Sequence, residues 1–162
     1  MGCVVRWSFT TVLMLGLAAG CGSSGNSDSA DTAGAGGDVT VPADAGGGTP
    51  VAVTAGDKSD VSQFLTVEPI SVKAGKVTFT FKNTGNRQHE MVVLKTDEAF
   101  DQLEVGSDDR VSEDASLGEI GETDQGKTVT KTFDLAAGSY VLVCNIEKHY
   151  RQGMRSAFTV SP

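Results

Sequence analysis

Lys76-Val77-Thr78-Phe79-Thr80-Phe81-Lys82 alternates without exception, with Val77, Phe79 and Phe81 on one side of an extended chain and Thr78, Thr80 and Lys82 on the other. Successive side chains of a β-strand point to opposite faces, whereas a helix would scatter these three apolar residues around its circumference. A strand with one buried face is therefore expected here, and Asn83-Thr84-Gly85-Asn86 supplies the turn that ends it. The same texture continues on both sides. Val51-Ala52-Val53-Thr54 and Phe64-Leu65-Thr66-Val67 read as strands upstream. Downstream, Thr128 to Phe133 alternates, Ala136-Ala137-Gly138 turns the chain, and Ser156 to Val160 closes it. Met91 to Leu94 and Tyr140 to Val143 are unbroken apolar runs, which suit interior strands of a sandwich better than edges. About seven or eight strands in about 110 residues predict an all-β sandwich. Phe100, Leu103 and Glu104 have helical spacing, so a short helix is expected over residues 97–105.

The first third of the chain has a different composition. Arg6 is followed by an apolar stretch from Trp7 to Ala19 with no acidic residue, and small residues precede Cys21. A run of that length falls short of the roughly 20 residues that span a bilayer, so residues 1–20 read as a cleaved export signal. Leu17-Ala18-Ala19-Gly20-Cys21 resembles a bacterial lipobox, which implies cleavage before Cys21 and acylation of its thiol; Ala18 stands where the usual pattern prefers Leu, Val or Ile. Residues 22–50 hold almost nothing but Gly, Ser, Ala, Asp and Thr, so the segment 21–50 reads as a lipid-anchored flexible tether. As a random coil it would reach roughly 30 Å. Residues 51–162 are left as the folded domain.

The formal net charge of −8 becomes −9 if Arg6, the one charged residue among the first twenty, leaves with the signal. Nucleic acid and a bare anionic membrane are excluded as partners on electrostatic grounds, and a basic protein partner is favoured. The acidity is concentrated. Between Asp97 and Asp124 lie eleven acidic residues and one basic residue, Arg110, in the longest stretch of the domain without strand character. It reads either as a solvated insertion or as a docking face for a basic protein partner.

Cysteine usage narrows the chemistry. Of three cysteines, Cys3 belongs to the signal and Cys21 to the anchor, which leaves Cys144 with no partner for an internal disulfide in an exported chain. The chain has two histidines, His89 and His149. Cys144 ends the apolar run from Tyr140, and with His149 and Met154 it forms the pattern C-x4-H-x4-M; His89 lies 55 residues before Cys144, at the start of the other apolar run. Singly, each has a bland reading: a turn histidine, or a small buried hydrophobe for the cysteine. Together, two imidazoles, one thiolate and a thioether are the ligand set of type 1 copper. Met91, inside an apolar strand, reads as core.

On these residues the region from Val51 to Pro162 resembles a cupredoxin, the family of plastocyanin and azurin, with a ligand-loop spacing similar to rusticyanin, auracyanin and sulfocyanin. The resemblance implies a Greek-key sandwich holding one copper ion, Cu(I) or Cu(II), on His89, Cys144, His149 and Met154, with His149 the ligand nearest solvent. Two departures stand out. Many relatives carry Pro-Gly before the second histidine, and this chain has Glu147-Lys148, which implies a less restrained loop. Relatives often place Asn or Ser after the first histidine; here Glu90 stands there and is expected to reach Asn145, tying the two ligand segments together. Lys148, Tyr150 and Arg151 around His149 predict a mixed basic and aromatic mouth.

The function expected is a one-electron shuttle outside the cytoplasmic membrane, monomeric, not an enzyme, exchanging electrons with cytochromes, terminal oxidases or nitrogen-oxide reductases. The alternative is a copper carrier or buffer delivering copper to an extracytoplasmic oxidase, although the chain lacks Met- and His-rich tracts. Multicopper oxidase and nitrite reductase chemistry are excluded by the count of two histidines, and a binuclear centre by the single spare thiol.

Overall fold

The computed structural model describes residues 47–162; the expected export signal, Cys21 and the expected tether as far as residue 46 lie outside the described residues. Nine strands follow one another: β1 (Thr49–Ser59), β2 (Ser62–Glu68), β3 (Ser71–Lys73), β4 (Gly75–Asn83), β5 (His89–Lys95), β6 (Ser116–Thr123), β7 (Thr128–Leu135), β8 (Gly138–Val143) and β9 (Arg155–Ser161). They form two sheets, ordered β2-β1-β4-β7 and β3-β9-β8-β5-β6. The β1–β4 and β3–β9 pairs are parallel and the others antiparallel, so both sheets are mixed. The all-β Greek-key sandwich expected from the sequence is the observed architecture.

The alternating segment is β4, and its three apolar side chains are fully buried while Thr78 and Thr80 face outward. Phe79 meets Phe133 edge-on at 5.8 Å and Phe158 at 5.4 Å, joining β4 to its neighbour β7 and to β9 of the opposite sheet. Such aromatic pairs add about 0.5–1.5 kcal/mol beyond the area they bury. Val51, Val53 and Ala55 of β1, Met91 and Val93 of β5, and Tyr140 and Leu142 of β8 belong to the same inner core. Met91 is core, as read.

The unbroken apolar runs have a second explanation beyond the inner core. Val92 and Leu94 of β5 and Val141 and Val143 of β8 point to the other side of their sheet, where Val111, Tyr150, Leu103 and Val105 cover them. Strands covered on both faces need no alternation.

Two expectations are corrected. Residues 97–105 form no helix: a turn closes from Gln102 N to Ala99 O at 2.9 Å, and Val105 then bridges Val111. Leu103 and Val105, two residues apart, both pack on the outer face of the sheet, which an extended chain permits and a helix does not. The acidic stretch does contain a strand, β6, whose one buried apolar residue is Ile120. β3 has three residues, too few to show a period. The strands number nine, close to the seven or eight expected, and the first begins at Thr49.

Candidate metal centre

β5 and β8 are antiparallel neighbours with Val92 opposite Val143, so the start of β5 and the chain leaving β8 lie at the same end of the sandwich. His89 opens β5 and Cys144 is the first residue beyond β8. The connection from Cys144 to Met154 then folds back on itself. His149 N donates to Ile146 O at 2.9 Å, Gln152 N to Lys148 O at 3.0 Å and Met154 N to His149 O at 3.1 Å, while Cys144 N donates to Met154 O at 3.1 Å. Two residues of this loop sit in the left-handed region, Gly153 at φ 113° and Lys148 at φ 71°. Gly153 is required twice over, because a Cβ there would also stand 2.7 Å from Gln63 O of β2. Lys148 occupies the place where many relatives have glycine and adopts a glycine-like conformation without being one.

These turns bring three donor atoms together. His89 Nδ1 lies 3.3 Å from His149 Nδ1, and Cys144 Sγ lies 3.2 Å from the same His149 nitrogen. His89 and Cys144 are inaccessible to solvent, and His149 is 6% exposed. Burial pushes His149 down to about 4, helped by the neighbouring His89, and burial likewise lowers His89 against the opposing pull of Asp57. Both rings are therefore neutral near pH 7, the form in which imidazole binds a metal. Burial raises the Cys144 thiol to about 12, opposed by the amides of Glu90 and Ile146, so a metal would take the place of its proton.

Two nitrogens and one sulfur held roughly 2.0–2.3 Å from a common ion stand about 3–4 Å apart, which fits these contacts. Two neutral imidazole nitrogens facing each other can share one proton at most, so without an ion one of them competes with the thiol for it. The donor set fits copper in a trigonal site. Met154 is fully buried in the inner core beside Cys144, and its backbone is bonded to both Cys144 and His149.

The family model for copper binding proteins of the plastocyanin/azurin family matches residues 51–161. The chain belongs to this family. This cupredoxin has a single type 1 copper site, with His89, Cys144 and His149 grouped around it. Among solved structures, an auracyanin from Roseiflexus castenholzii is 26% identical over 71% of this chain and 100% of its own, with a TM-score of 0.50. Rusticyanin from Thiobacillus ferrooxidans is 21% identical over 70% of this chain and 79% of its own, with a TM-score of 0.52. Auracyanin B is 21% identical over 70% and 89%, with a TM-score of 0.51. Comparison with curated protein sequences gave no match.

Around the donors, the cupredoxin is cross-braced by polar groups. Glu90 Oε1 accepts from Asn145 N at 3.0 Å, joining the strand of the first histidine to the loop of the second. Burial, with Glu119 and Glu113 nearby, raises the Glu90 carboxyl to about 7 against the effect of that hydrogen bond. Glu90 N points at Cys144 Sγ, 3.4 Å away. The Asn145 side chain accepts from Val111 N at 2.9 Å and donates to Val111 O at 3.0 Å and to Glu113 Oε1 at 2.7 Å.

Two residues depart from the reading of the sequence. Tyr150 is not part of an exposed mouth: it is 3% exposed, its hydroxyl donates to Phe100 O and accepts from Leu103 N, both at 3.0 Å, and Arg155 lies across its ring. Lys148 and Arg151 remain exposed. Asp57, which sequence pattern did not single out, stands behind His89 with Oδ1 3.4 Å from Nε2. Burial acts to raise its carboxyl, but the amides of Asn86 and Arg87 and the adjacent His89 hold it below the usual value. No sequence signal marks it, since it is one acid among many and reaches the site through sheet pairing.

Proposed function

We propose that this cupredoxin is a one-electron carrier and not an enzyme, held outside a membrane by lipid on Cys21 and a flexible tether over residues 21–50. His89, Cys144 and His149 would hold the copper, with Met154 as the thioether donor. Bound copper supplies a Cu(I)/Cu(II) couple.

The observation that carries this reading is that the donors are already gathered, with Nδ1–Nδ1 and Sγ–Nδ1 contacts of 3.3 and 3.2 Å, inside a buried hydrogen-bonded frame. A frame built by Glu90, Asn145 and the turns of the loop resists change between oxidation states, which keeps reorganisation small. A carrier that hands over its metal needs the opposite, an accessible site that opens easily. His149, the more exposed imidazole, is the natural contact for electrons entering or leaving.

Almost all the acids between Asp97 and Asp124 are exposed, with Phe100 at 39% and Leu117 at 48% exposure among them. A negative face of this kind favours basic redox proteins, such as cytochromes or terminal oxidases, and their association rate should fall as salt rises.

The test is to load the soluble domain with Cu(II), reduce it, and mix it with an oxidised basic cytochrome under stopped flow. Reversible cycling with copper retained supports the shuttle. Prompt loss of copper to a competing chelator on reduction, without electron transfer, would assign the protein to copper delivery instead.

A further inference from the structure

Resting on the copper reading of His89, we infer that Asp57 accepts the Nε2–H of His89 and thereby fixes Nδ1 as the nitrogen that meets the metal. A neutral imidazole carries one N–H and one bare nitrogen, and the partner of the N–H decides which is which. His89 Nε2 is buried and has no hydrogen-bond partner among the described residues, and neither has Asp57 Oδ1, the carboxylate oxygen 3.4 Å from it. A closing movement of roughly 0.3–0.5 Å gives an ordinary hydrogen bond. Each of these two atoms is the other's remedy, since an unpaired buried polar group is costly.

The carboxylate is aimed. Its other oxygen, Oδ2, accepts from Asn86 N at 2.6 Å and Arg87 N at 3.3 Å, which leaves Oδ1 turned to the ring. The loop supplying those amides is itself pinned by Asn83, whose Oδ1 accepts from Gly85 N at 2.8 Å and whose Nδ2 donates to Arg87 O at 2.6 Å. Gly85 is the residue that lets carboxylate and imidazole meet: a Cβ there would stand 2.8 Å from His89 Nε2 and closer still to Asp57 Oδ2. Strand β1, which the parallel pairing with β4 carries past this loop, thus contributes to the metal centre from the opposite sheet.

The consequence is electronic as well as positional. A carboxylate on Nε2–H makes Nδ1 a stronger donor, which favours Cu(II) over Cu(I) and lowers the reduction potential. Asp57→Asn reverses the arrangement. Its amide oxygen stays with the two backbone donors, its NH₂ turns to the ring, and a donor at Nε2 forces the proton onto Nδ1.

Two readouts test this. Nitrogen NMR of metal-free protein labelled in its histidines should show His89 as the Nε2–H tautomer in the wild type and as the Nδ1–H tautomer in Asp57→Asn. In the copper-loaded protein, the ratio of Cu(II) to Cu(I) affinity should fall about tenfold in Asp57→Asn, read as a potential about 59 mV higher. Gly85→Ala, which pushes the carboxylate off the ring, should move the potential in the same direction. A wild-type protein with its proton on Nδ1, or an Asp57→Asn variant whose tautomer and potential both match the wild type, would overturn the inference. Failure of the wild type to take up copper would sink the copper reading instead, while the tautomer measurement would still decide the Asp57 contact.

Discussion

The connection over residues 96–115 and the connection over residues 144–154 are built on opposite plans. The first exposes most of its side chains, carries eight of the domain's seventeen acids, and touches the sandwich through Leu103, Val105 and Val111. The second buries Cys144, Asn145, His149, Tyr150 and Met154 and exposes mainly Glu147, Lys148 and Arg151. Yet the outer segment holds the inner one in place. Asn145 pairs in both directions with Val111, the Tyr150 hydroxyl bridges Phe100 and Leu103, and Lys148 N donates to Asp109 O at 3.0 Å. A ligand loop without Pro-Gly therefore gains restraint from outside itself, through a segment whose composition looks like mere solvation.

The largest effect should come from the buried connection. Cys144→Ser should abolish the intense visible absorption of the copper protein and weaken copper binding by orders of magnitude, as a titration followed by absorbance will show. Neutralising Asp101 and Glu104 in the outer segment should leave that spectrum unchanged and alter only the salt dependence of association with a basic partner.

Cutting the link between the two comes next. Asn145→Ala strips both backbone groups of Val111 of their partner and should destabilise the domain by about 2–3 kcal/mol in denaturant titration. Hydrogen exchange should rise around residues 105–113 in the same variant, and a protected segment there would mean that the outer connection holds without the asparagine.

Glu90 gives the comparison a pH dependence. Its folded-state value of about 7 lies above the ordinary carboxyl value of 4.5, so the folded state binds the proton more tightly than the unfolded chain does. Its contribution is fully present below pH 4.5 and is lost as pH rises through 7. Metal-free protein should therefore lose about 1–2 kcal/mol across that interval, after discounting for solvent screening. Glu90→Gln should flatten that part of the stability profile.

Tyr150→Phe should have the smallest effect. It removes one hydroxyl shared between Phe100 and Leu103, about 1 kcal/mol, and should speed exchange over residues 97–105 while the copper spectrum stays as it was.

What the sequence disclosed follows from the same contrast. β4 was legible because it is covered on one side, and β5 and β8 because strands covered on both sides need continuous apolar runs. The donors were legible because their residue types are scarce: two histidines and one spare thiol leave few ways to build a metal centre. The helix expected over 97–105 failed because the spacing of Phe100 and Leu103 reflected a turn and an outward face. β6 was hidden because it buries one apolar side chain and has Gly118 and Gly121 in its run. Asp57 and Tyr150 were illegible for a further reason. Their roles depend on which segments the sheet pairing brings to one end of the sandwich, and no local pattern reports that.

The most direct measurement is a titration of the metal-free domain, residues 47–162, with Cu(II), followed by visible absorption and electron paramagnetic resonance. An intense thiolate-to-copper band that saturates at one ion per chain, with the narrow copper hyperfine splitting of a trigonal site, is the predicted result. Weak absorption with the spectrum of ordinary tetragonal copper, or a band that survives Cys144→Ser, would contradict it.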